Sequence, residues 1–224
     1  MVPHSLTGMS WLRAFLQDVG AIAWGNRGWM TWNTLLALVP ALLALLLFRP
    51  GSRRGPLWGV GLVVFLLFLP NAPYVVTDLI HLRGDVALAS SDAAVYAGVL
   101  PLYGAFIAIG FGSYAVSLHA MGAWMRRTGR QRAVGTVETA LHAVSAVGVL
   151  LGRVARLNSW DTVTEPDGAV TRTLDTLTWR GSPIVLLALF FVIWLGHAIT
   201  RALATAAIAW LTRRLPRRLR SAMS

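Results

Sequence analysis

The sequence predicts an all-α fold, a polytopic transmembrane helix bundle of about five spans with an N-terminal amphipathic helix, and three observations carry that prediction. First, 56% of the 224 residues are hydrophobic and only 13% are charged, where a soluble domain holds about 25% charged residues. Second, several apolar runs approach or pass the ~20 residues that a spanning helix needs. Third, the arginines gather in alternate loops, the pattern of a chain threaded back and forth through a bilayer.

Taken in order, residues 1–31 form an N-terminal interfacial segment. Trp11, Leu12, Phe15, Leu16, Val19, Ile22 and Ala23 recur at helical spacing, with Arg13, Gln17 and Asp18 opposite them. That pattern predicts an amphipathic helix lying on the outer face, its tryptophan at headgroup level. Met1-Val2-Pro3-His4-Ser5 lacks a basic stretch followed by an oily core, so no cleavable signal is expected. Residues 32–211 hold the bundle, with spans near 32–48, 57–76, 94–124, 133–157 and 183–211. Residues 212–224 make a basic cytoplasmic tail. The longest outer loop, 161–182, has turn signals at Glu165-Pro166-Asp167-Gly168 and Gly181-Ser182-Pro183. Between them Val170, Leu174 and Leu177 predict a short surface helix. Gly98, Gly104, Gly110 and Gly112 in the third span read as points of close helix packing.

The formal charge of +11 invites a nucleic-acid reading, but its distribution argues against one. Arg49, Arg53 and Arg54, then Arg126, Arg127, Arg130 and Arg132, then Arg213, Arg214, Arg217, Arg218 and Arg220 fall in the first loop, the third loop and the tail, with no acidic residue among them. The opposite side mixes arginines with most of the carboxylates. Short arginine-rich loops stay cytoplasmic, which places the N-terminus outside and the C-terminus inside. Cysteine is absent, which excludes disulfides, thiolate metal sites and thiol nucleophiles. Lysine is absent as well, which excludes Schiff-base chemistry. No nucleotide-binding glycine loop, zinc-peptidase helix or serine elbow is present, and no cofactor is implied.

The second span ends in Pro70-Asn71-Ala72-Pro73-Tyr74. Two prolines three apart remove two N–H donors and push Leu69 and Ala72 away from helical geometry. Irregular backbone at membrane depth survives only where protein buries it or water reaches it, so a packed polar site is expected there. In this topology the fourth span exits on the same side. Asn71, Tyr74, Thr77, Asp78 and His81 therefore face Arg153, Arg156, Asn158, Trp160 and Asp161, with Trp32 and Asn33 beside them. Asn71, Tyr74, Asp78, His81, Arg153, Arg156, Asn158 and Asp161 form the candidate ligand-binding set. Asp78 and His81 stand at i, i+3 and share a face. With Asp161 they have the donors for a divalent ion or for acid–base work. Pairing of Asp78 with Arg153 or Arg156 is favoured over a metal site, because charges near the membrane pair with one another. The arginines themselves have the geometry to clamp a phosphate. Asn71 is expected to satisfy carbonyls that the prolines free.

These residues resemble a family of uncharacterised bacterial membrane proteins, domain of unknown function 1361. Leu69-Pro70-Asn71-Ala72-Pro73-Tyr74 with Thr77-Asp78-Leu79 and His81-Leu82 looks like its main signature. Leu151-Gly152-Arg153 with Arg156 and Asn158-Ser159-Trp160-Asp161 looks like its second, and Trp32-Asn33 resembles the opening of its first span. Where the family usually places an aromatic, this chain has Leu157. The resemblance implies a polytopic fold in a bacterial inner membrane and supplies no mechanism.

A second polar stripe runs inside the membrane: Glu138, His142 and Ser145 on span four, His197 and Arg201 on span five, His119 on span three. Spans four and five run antiparallel, so a four-residue step along each predicts Glu138 paired with Arg201 and His142 near His197, with His119 at similar depth. A buried ionisable group in a membrane is a functional candidate by default. The partners these features imply are membrane lipids and a small solute, ion or lipid-linked substrate. Binding or moving such a ligand leads as the expected function, with a membrane-embedded enzyme on a lipid-linked substrate or a non-catalytic assembly subunit as the alternatives.

Overall fold

A computed structural model describes residues 8–52, 54–154, 164 and 166–214. Among these the chain is helical with no strand, and five helical stretches are long and apolar enough to cross a membrane: Ser10–Leu47, Pro56–Ile80, Asp92–Arg127, Gln131–Val154 and Ser182–Arg214. Arg156, Asn158, Trp160 and Asp161 lie outside the described residues, as does most of the basic tail.

Helix α1 spans Gly8–Leu47 without a break. This corrects the expected separate amphipathic segment: residues 9–24 are helical but continuous with the first span, giving one rod of about 60 Å at 1.5 Å per residue. Nothing between Gly20 and Asn33 breaks the ladder; the single internal proline is Pro40. The early turns are held from the side, with Asp18 accepting from the Ser90 backbone N–H at 2.9 Å and Ile22 buried. Trp11, Leu12 and Leu16 stay exposed. One turn before Pro40, the Ala37 carbonyl accepts a hydrogen bond from Ser113 of the third span.

The second span is α2 (Pro56–Phe68), a short α3 (Asn71–Tyr74) and a 3₁₀ turn (Val75–Ile80), followed by α4 (Leu82–Leu88). Here too the structure corrects an expectation. Leu69 keeps right-handed helical angles, φ −53° and ψ −40°, and Ala72 lies inside α3. What the prolines change is the ladder rather than the twist. The Ala72 N–H turns to the Leu69 carbonyl at 3.2 Å, and the Asn71 amide donates to Phe68 O at 3.0 Å, the role expected for it.

The third span begins at α5 (Asp92–Ala94), passes through a π-turn at Val95–Val99 and becomes α6 (Leu100–Arg127). Gly98 lies in that π-turn, and a Cβ there would overlap Val19 of α1. Helix α7 (Val134–Val154), the short α8 (Pro166–Thr178) and α9 (Ser182–Arg214) follow among the described residues. The expected surface helix is α8, with Val170 and Leu174 exposed.

The core packs α1, α2, α6, α7 and α9 around Phe65, Leu69, Ala72, Tyr114, Leu118, Val149 and Ile193. The proline-broken tip is wedged between two glycines. A Cβ on Gly110 of α6 would strike the Ala72 carbonyl and Val75, and one on Gly148 of α7 would strike the Pro70 ring. Gly104 and Gly112 face open space, so only two of the four third-span glycines serve close packing.

The two ends of the bundle differ in charge. At one end Arg127 donates to the Phe48 carbonyl at 2.6 Å and Arg54 lies 4.8 Å over the Trp124 ring, so the first and third loops meet there. Asp18, Asp78 and Asp85 all belong to the other end.

Candidate functional site

At the acidic end, three elements converge on Asp78, which is 2% exposed. The 3₁₀ turn advances three residues per turn, so Val75 and Asp78 stack in line, and both are buried. Arg153, at the end of α7, reaches across with Nη1 3.3 Å from Asp78 Oδ1 and 3.3 Å from the Tyr74 hydroxyl. Its Nη2 donates to the Thr77 carbonyl at 2.7 Å. Asn33 of α1 donates to the other carboxylate oxygen, Oδ2, at 2.8 Å. Both oxygens of Asp78 are therefore engaged, and the guanidinium is spread over a side chain, a hydroxyl and a backbone carbonyl. An ion pair whose carboxylate is buried and engaged at both oxygens fixes geometry, and loss of the arginine strands that carboxylate.

The His81 ring lies 4.8 Å from that of Trp29, tilted by 32°, on the exposed side of the tip. Among the described residues no three histidines or carboxylates converge as metal ligands.

A neighbouring network escaped the sequence reading. Asp85 of α4 is buried and accepts from Asn26 of α1 and from the Tyr103 hydroxyl, the latter at 2.8 Å. Trp29 Nε1 donates to Asn26 Oδ1 at 2.9 Å. Asn26, Trp29 and Asn33 lie at i, i+3, i+7 on one face of α1, the one signal in the sequence for this stripe.

The second site lies between α7 and α9 near the arginine-rich end. Glu138 Oε2 is 3.5 Å from Arg201 Nη1, and the His142 and His197 rings are 5.2 Å apart, both as expected from the antiparallel step. Both imidazoles are buried. Tyr114 of α6 fixes them from behind, its hydroxyl 3.0 Å from His142 Nδ1 and 3.2 Å from Ser145 Oγ. Tyr114 was not foreseen. His119 is exposed on α6 and is not among the cleft residues, a correction to its expected place in the stripe: at 100° per residue it points away from the buried Tyr114, Ser117 and Leu118.

Gly135, Glu138, Thr139, His142, Trp194, His197, Ala198 and Arg201 line a half-open cleft of about 360 Å³. Gly135, Thr139, Trp194 and Ala198 are exposed at its mouth, so it opens sideways between the helices. Outward along α7 from Ser145, the buried Ala146 and Val149 pack with Leu69, Ala72 and Ile193. This apolar layer separates the cleft from Arg153.

Fold and sites together define a multi-pass membrane protein, a helical bundle whose apolar outer surfaces contact lipid and whose described residues form polar clusters at the acidic end and in the α7–α9 cleft. The chain belongs to the family described as protein of unknown function DUF1361, whose model matches residues 32–195. Neither a curated protein nor a solved structure matches the chain.

Proposed function

We propose that this protein binds a small polar or amphiphilic ligand within the membrane, with the α7–α9 cleft as its seat and the Asp78–Arg153 cluster as the clamp that holds the bundle around it. The observation that carries this reading is the contrast in saturation. Asp78 has both oxygens occupied and is closed to solvent, whereas Glu138 and Arg201 meet through one long contact beside an open cleft. Ligand pockets combine apolar walls with a few convergent polar groups, as Trp194 and Ala198 do here with two imidazoles and an ion pair. Moving a ligand onward to the other face requires the apolar layer at Val149 and Leu69 to open. Catalysis on a lipid-linked substrate requires Asp78 and His81 to be released from their present partners.

The asymmetry of arginines supports an orientation with the arginine-rich end and the C-terminus in the cytoplasm and the N-terminus outside, in a bacterial inner membrane. Because the chain holds no cysteine, single-cysteine labelling tests this directly. Asp167→Cys is expected to react from outside intact cells and Arg130→Cys only after permeabilisation; the reverse pattern inverts the topology.

The binding reading is tested with an environment-sensitive fluorophore on Thr139→Cys at the cleft mouth. Emission is expected to change saturably as polar lipids or candidate solutes are added, while the same label on Arg83→Cys in the acidic end does not respond. Equal responses at both positions, or none at Thr139, refute it.

A further inference from the structure

We infer that the α7–α9 cleft takes a zwitterionic phospholipid headgroup carrying a phosphate and a primary ammonium, entering sideways from the leaflet at the arginine-rich face. This rests on the cleft being the ligand seat and adds the chemical class of what sits there. The cleft presents both charge signs. A purely anionic head has to face the Glu138 carboxylate, and a purely cationic one has to face the Arg201 guanidinium. A head that carries both charges replaces the single 3.5 Å contact with two charge-assisted sets, phosphate on Arg201 and ammonium on Glu138. Exposure agrees with that division, since the Arg201 side chain is 63% exposed and Glu138 only 19%. The guanidinium stands outward at the mouth and the carboxylate inward.

Depth supports a lipid. Glu138 lies one helical turn from the start of α7 at Val134, about 6 Å by the helical rise, next to the loop that holds Arg126, Arg127, Arg130 and Arg132. A phosphate at headgroup level reaches Arg201 without leaving its leaflet. One turn deeper, His142 and His197 sit where the ester carbonyls of such a lipid lie, and imidazole N–H groups are donors to carbonyl oxygen. The mouth is exposed and, apart from Trp194, is made of Gly135, Thr139 and Ala198, so acyl chains can leave between the helices along the Trp194 face. A primary ammonium also fits better than a quaternary one: Glu138 can accept its N–H groups, whereas a choline head has none to give.

The test uses the full chain in detergent, with bound lipid counted by native mass spectrometry and seating read by the Thr139→Cys fluorophore. Phosphatidylethanolamine, phosphatidylcholine, phosphatidylglycerol and soluble phosphoethanolamine are compared. Phosphatidylethanolamine is expected to hold at concentrations roughly tenfold below the other two lipids, the value of one charge-assisted contact. Glu138→Gln should erase that preference without weakening phosphatidylglycerol, and Arg201→Gln should weaken all three. Phosphatidylglycerol or phosphatidylcholine binding as tightly, or a preference that survives Glu138→Gln, overturns the headgroup assignment while a responding Thr139 probe keeps the cleft as a binding seat. Soluble phosphoethanolamine binding as tightly as the lipid overturns the membrane source. Silence of the probe toward all four removes the binding reading itself.

Discussion

Among the described residues, the two arginine–carboxylate pairs have the same chemistry and opposite surroundings. Arg153 and Asp78 are 30% and 3% exposed and share their remaining donors and acceptors with Asn33, Tyr74 and the Thr77 carbonyl. Arg201 and Glu138 are 63% and 19% exposed and meet once, at 3.5 Å. An ion pair with both carboxylate oxygens engaged and the carboxylate closed to solvent ties helices together and leaves little room for a ligand. One held by a single long contact keeps capacity for a third party. Saturation, rather than residue type, divides clamp from seat.

That division breaks or sharpens under substitution. The largest effect is expected at Arg153→Ala, which strands a buried carboxylate and should cost about 3–5 kcal/mol of stability, read as a lowered melting temperature in detergent. Adding Asp78→Asn should recover part of that loss; strictly additive losses would separate the two residues. Next comes Gly148→Ala, which drives a methyl into the Pro70 ring and should cost roughly 1–3 kcal/mol. Asn71→Ala removes the amide from the Phe68 carbonyl, a loss of about 1 kcal/mol. Arg201→Gln should change stability least, near the ~0.6 kcal/mol typical of interhelical polar contacts, while weakening the Thr139 probe response. If Arg201→Gln destabilises as much as Arg153→Ala, both pairs are clamps and the contrast fails.

How much of this was legible in the sequence follows from how local each signal is. The pairing of Glu138 with Arg201, and of His142 with His197, could be read because α7 and α9 are adjacent and antiparallel, so equal steps along each stay in register. The meeting of the proline tip with Arg153 followed from span parity alone. The length of α1 was hidden because hydropathy falls across Trp24–Gly28 while helical hydrogen bonding does not. Arg27 remains exposed there, resting 3.7 Å over the Trp24 ring. The Asp85 network joins α1, α4 and α6, three elements with no shared local pattern. His119 was misplaced because α6 carries polar groups on more than one face, and only packing decides that Tyr114, Ser113 and Ser117 go inward.

The slot between Gly110 and Gly148 bears on how the chain enters a bilayer. With its own ladder interrupted at Pro70 and Pro73 and a carboxylate at Asp78, the second span alone is a poor guest for hydrocarbon. It gains its shelter from helices that are synthesised later. The proline tip of the second span therefore reaches its final packing only once α6 and α7, which carry Gly110 and Gly148, have been made.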